Sequence, residues 1–89
     1  MTRIQTMRIL WDHEYEARVR NGFPVIVWID VAGDRDEGEW HEWVVDYEIT
    51  NLQGGQVKWL KLTKAEEDDL MHAAFRDFKQ ARKINDEIF

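Results

Sequence analysis

The chain contains no cysteine and no serine. The first absence excludes disulfides, zinc–thiolate centres and thiol catalysis, and the second removes the commonest hydroxyl nucleophile. Four threonines remain (Thr2, Thr6, Thr50, Thr63), none beside a histidine in a recognisable catalytic motif. Proline occurs once, and the glycines sit in NG, AG, EG and GG pairs, not in a phosphate-cradling pattern between a strand and a helix. No apolar run approaches the roughly 20 residues of a membrane span. The N-terminus, MTRIQTMRIL, lacks the apolar core and cleavage site of a signal peptide.

What is present describes one small domain, residues 1–89, with 44% hydrophobic and 34% charged residues. That composition supports a packed core without metal or disulfide staples. Formal net charge is −6, and it is unevenly placed. Between Asp30 and Glu48 stand eight carboxylates against Arg35 alone, so this segment holds the whole excess. Such a field repels phosphate backbones and attracts basic surfaces. It also keeps a small protein dissolved, which is the plainer reason for it.

Residues 15–62 read as antiparallel strands. YEARVRNGFPVIVWIDV alternates around Asn21-Gly22, a dipeptide favoured in hairpin turns. Ile4, Met7, Trp11, Tyr15 and Val19 also fit a helical stripe with Asn21-Gly22 as its C-cap, so residues 1–20 stay open between helix and strand, with the hairpin preferred. AGDRDEGEWH, 32–41, has the charge and glycine of a loop. In EWVVDYEI, Trp43, Val45, Tyr47 and Ile49 share one face, with Glu42, Val44, Asp46 and Glu48 on the other. VKWLKL, 57–62, reads as a short last strand.

Thr63 opens a helix over 63–85. Thr63 and Glu66 have capping-box spacing, four acids from Glu66 to Asp69 meet the positive end of the dipole, and Lys79, Arg82 and Lys83 approach the negative end. Leu70, Met71, Ala74, Phe75, Phe78 and Ala81 form the apolar stripe. The predicted architecture is α+β, a small antiparallel sheet of three to four strands with one long C-terminal helix on one face. The helix is expected against Val19, Val25, Val27, Ile29, Trp43, Val45, Tyr47, Ile49, Val57 and Trp59. The other face would then expose Ile26, Trp28, Val44 and Leu60 among charged flanks. The N-terminal segment or a second copy of the chain is expected to cover that cluster.

Metal and cofactor chemistry has thin support. His41 in EWHEW and the Asp68/His72 pair offer one or two ligands where a site needs three or four. Both patterns also suit a polar strand entrance and an ordinary i,i+4 helix pair. His13 is uninformative. Asp34, Asp36 and Gly38 make a fragment of a calcium loop without its closing glutamate. No catalytic, cofactor or metal residue is assigned. Five tryptophans are many for this length. Trp11, Trp28 and Trp40 are weighed evenly as interface anchors or packing residues.

The order of features, from the NG hairpin through WVVDYEI to VKWLKLT and KAEEDDLMHAAF, resembles small accessory proteins encoded by bacteriophages. The resemblance covers roughly residues 15–78 and transfers no residue role. It implies a viral protein of the host cytoplasm that works by binding, in some cases by blocking a host nuclease or transcription complex. The expected function is therefore a non-enzymatic acidic protein-binding module. Asp34, Asp36, Glu37, Glu39 and Trp40 join the Ile26 cluster as contact residues, and the carboxylates stand in for phosphates if nucleic acid is mimicked. The alternative is a structural subunit that self-assembles, as a homodimer or larger, through the Ile26/Trp28 face. Neither reading calls for a nucleic-acid or membrane partner.

Overall fold

The computed structural model describes residues 9–88 and contains the expected sheet and helix, with three strands in the order β1-β2-β3. β1 (Ile9–Val19) and β2 (Phe23–Asp36) form the hairpin, and β3 (Glu39–Thr50) pairs antiparallel with the far side of β2. The helical stripe through Trp11, Tyr15 and Val19 gives way to strand pairing from Ile9 onward. Residues 1–8 lie outside the described residues. Period two is visible along β1: Trp11, His13, Tyr15, Ala17 and Val19 are half-buried, while Asp12, Glu14, Glu16 and Arg18 are exposed.

Both turns are tight. Arg20, Asn21 and Gly22 all have positive φ, and the Gly22 N–H donates to the Val19 carbonyl. The segment expected as a loop over 32–41 is instead the end of a second hairpin, turned by Glu37 and Gly38 at φ 52° and 83°. Two successive positive φ values match the right-handed twist of flanking strands. The charges of this segment therefore sit on strands and at a hairpin tip.

One irregularity reorganises the sheet. Asp30 pairs with Asp46, but Val31 pairs with Val44, so Val45 is an extra residue in β3. A bulge of this kind reverses the facing of everything beyond it. Val45 is 53% exposed, and Val44 packs in the helix-covered core. Trp43, expected under the helix, lies opposite Ala32 on the other face, while Glu42 and Trp40 come round to the helix side.

The core lies between β2 and the helix α1 (Lys64–Ile88). Val27, Ile29 and Val31 are sealed against Ala74 and Phe78, with Tyr15, Tyr47, Leu70 and Phe75 closing the margins. A second cluster joins Val25 to Val57 and Leu60. Residues 58–60 form a 3₁₀ turn, not a strand, and Lys61 leaves it at φ 51°. Three residues per turn bring Val57 and Leu60 onto one side. Trp59 is consequently turned out, 62% exposed, with its ring edge-on to Phe23 at 4.9 Å.

The capping box forms as read. The Glu66 N–H donates to Thr63 Oγ1 at 3.1 Å, and the Thr63 N–H donates to Glu66 Oε1 at 2.9 Å. The helix runs to Ile88 and its last turn carries no basic residue. Arg82 serves instead as the partner of Glu42, lying 5.2 Å from the centre of the Trp11 ring.

Candidate functional site

The four residues expected to form one exposed apolar cluster are separated. Val44 and Leu60 are on the helix side, drawn there by the bulge and by the 3₁₀ turn. Ile26 and Trp28 remain on the open face, half-buried and 38% exposed respectively. Trp40 packs against Gly33, where a Cβ would overlap its ring and stand 2.9 Å from Trp11 Cζ3. It belongs to the Trp11/Arg82 corner, with its ring centre 6.1 Å from that of Trp11.

The acidic residues divide as well. Glu37 and Glu39 are exposed at the β2–β3 tip, beside Asp36, which pairs with Glu39 across it. Asp34 is half-buried and accepts a hydrogen bond from the Arg35 N–H at 2.8 Å. Arg35 in turn donates to the Gly38 carbonyl. This arrangement braces the tip and converges on no ligand. Glu39 Oε2 lies 3.8 Å from His41 Nε2, and Asp68 pairs with Lys64 at 3.2 Å. Among the described residues no three histidine or carboxylate groups are arranged to hold a metal ion.

The register creates a grouping that the residue-by-residue reading missed. Asp12, Asp30 and Asp46 stand side by side across all three strands, and the next row is Glu14, Trp28 and Glu48. Neighbouring strands are about 5 Å apart, so five carboxylates surround one indole on the open face. The crowding is felt by Asp30. Its carboxyl is held above the ordinary value, first by a hydrogen bond with Asp12, then by lost hydration and the charges of Asp12 and Asp46. A two-residue Asn21-Gly22 turn would pair Arg20 with Phe23 and set Asp12 opposite Val31, whereas the turn spans Arg20 to Gly22, pairs Val19 with Phe23 and so aligns Asp12 with Asp30.

Trp28 is fixed within this field. Its Nε1–H donates to Thr50 Oγ1 at 2.9 Å, and the Thr50 hydroxyl donates to the Asn51 carbonyl at 2.9 Å. Thr50 is buried, so the bond locks the indole over β3. A depression of about 200 Å³ opens beside it, lined by Trp28, Asp30, Asp46, Tyr47 and Glu48. A second hollow, about 430 Å³, lies along β3 between Tyr47, Ile49, Val57, Lys61, Leu62 and Glu67. In it the Tyr47 hydroxyl donates to Glu67 at 2.7 Å, which raises the phenol pKa.

No helix among the described residues is long and apolar enough to cross a membrane. Comparison with known protein families, curated proteins and solved structures yields no significant match.

Proposed function

We propose that the chain is a non-enzymatic protein-binding module whose open sheet face engages a basic surface. The observation that carries this reading is the pair of rows Asp12–Asp30–Asp46 and Glu14–Trp28–Glu48 on the face opposite the helix. A partly exposed aromatic residue ringed by charge complementary to the partner is the usual make-up of an interface centre. The setting implied by the resemblance is a phage accessory protein acting in the host cytoplasm on a host factor. Its narrower form has the Asp36, Glu37 and Glu39 tip extending the ladder as a substitute for nucleic acid.

Self-assembly through the same face is the competing reading. A second copy would set the aspartate row against itself, and like charges directly opposed are destabilising. That repulsion weighs against it.

The test is affinity capture from the native host with wild type and with Asp30→Lys/Glu48→Lys, both confirmed folded by circular dichroism. A partner held by the wild type and lost with the reversed charges supports the reading. Tight DNA or RNA binding in a low-salt gel shift would overturn it, because electrostatic affinity is greatest there.

A further inference from the structure

Resting on that protein-binding reading, we propose that the open face is a seat for an arginine side chain of a basic protein segment. The guanidinium stacks on the Trp28 indole and pairs with the surrounding carboxylates of Glu14, Asp30, Asp46 and Glu48. Three features of the face converge on this occupant.

The first is preorganisation. The Trp28 ring is held through Thr50 to the backbone of Asn51, so its free surface is presented without ordering a mobile side chain on binding. The second is the charge around it. Carboxylates stand on both strands flanking the indole and in the row beside it, and their mutual repulsion is relieved by one delocalised cation. Arg18, on the same face of β1, is directed into the first turn, where it donates to the Gly22 carbonyl at 2.9 Å. The third is shape. The depression beside the ring is lined by Trp28, Tyr47 and the carboxylate-bearing Asp30, Asp46 and Glu48.

Arginine suits this geometry better than lysine. Its planar, weakly hydrated guanidinium stacks on an aromatic face while its edge donates to carboxylates. An ammonium is a hydrated point charge that gains less from the ring. Arginine over tryptophan contributes about 0.5–1 kcal/mol at exposed sites. Lysine keeps part of that attraction, so the expected preference for arginine over lysine is at most about 2- to 5-fold in affinity.

Hexa-arginine and hexa-lysine peptides are titrated into the ¹⁵N-labelled full chain, with the Trp28 indole N–H resonance assigned by its loss in Trp28→Phe. The expected result is a shift of that resonance with saturable binding and an arginine preference of the stated size. Trp28→Ala should erase the preference. Glu14→Gln/Glu48→Gln should weaken both peptides more than Glu37→Gln/Glu39→Gln at the hairpin tip. Equal weakening by the two double variants, or a Trp28 resonance that the peptides leave unmoved, overturns the proposal. A resonance moved only by deletion of residues 1–8 also overturns it, assigning the seat to the chain's own Arg3 or Arg8. Loss of the arginine seat with host capture intact leaves the protein-binding reading standing. Loss of capture with the seat intact removes that reading alone.

Discussion

Arg20 holds Glu66 with both terminal nitrogens of its guanidinium, tying the first hairpin turn to the first turn of the helix. The same Nη2 lies 3.3 Å from the carbonyls of Leu60 and Lys61. Glu66 also closes the capping box, so one carboxylate serves the turn, the linker and the helix start. Arg20 accepts a positive φ of 46° at this position.

This arrangement predicts a specific acid response. Hydrogen bonds from Arg20 and then from the Thr63 backbone lower the Glu66 pKa from 4.5 to about 2. A carboxylate depressed in the folded state stabilises above its unfolded pKa, and that contribution is lost as pH falls through the folded value. Glu66→Gln should therefore lower the urea midpoint at pH 6 and approach wild type between pH 4.5 and 2. Asp30, whose pKa is raised, works in the opposite direction but is common to both proteins and cancels. A difference that stays constant over this range would contradict the assignment.

Phe78 is the helix's main anchor, buried against Trp11 and edge-on to His13 at 5.5 Å. Phe78→Ala should cost about 3–5 kcal/mol in chemical denaturation. Phe75, of the same apolar stripe, is only half-buried, with Lys79 over its ring at 4.4 Å. Its replacement by alanine should cost less. Equal costs would place the helix in a different rotation.

Gly33 is required by contact, not by backbone angle. A methyl group there meets the Trp40 ring and Trp11, so Gly33→Ala should destabilise by about 1–3 kcal/mol. Near-ultraviolet circular dichroism should show the disturbed indoles. A neutral result would mean that Trp40 is free to lift away.

Glu42 and Arg82 form a screened pair in which the glutamate side chain is only 10% exposed. Arg82→Met alone leaves that carboxylate with little water to compensate it. The double variant Arg82→Met/Glu42→Gln should therefore be more stable than Arg82→Met alone. Additive losses in the double-mutant cycle would show that the pair is uncoupled.

Legibility tracked how local the deciding physics was. The helix start was readable because Thr63 and Glu66 satisfy each other within one turn. The 57–62 segment was not, because six residues fit period two as well as period three, and burial of Val57 and Leu60 against Val25 decided it. The span 32–41 looked like a loop because strand-borne carboxylates and a Glu37-Gly38 turn share a loop's composition. Trp43, Val44 and Val45 lie on the faces opposite to those that simple alternation predicts, because both residues of the Val44-Val45 doublet are apolar, which conceals the extra residue. The carboxylate ladder depended on strand pairing, so its members, separated along the chain, drew no notice individually.

The bulge at Val45 makes the meaning of every residue from Glu39 to Val44 depend on a count. Thread Val45 into the ladder opposite Val31 and the six side chains before it trade sides. Trp43 would press into the helix, while Glu42 would leave Arg82 for the solvent. Because Asp46 and Val44 already face the consecutive residues Asp30 and Val31, deleting Val45 closes the ladder with every facing kept. Its side chain, more than half exposed, should tolerate substitution, and its deletion should straighten the strand without exchanging its faces. Val45 is the residue the ladder steps around.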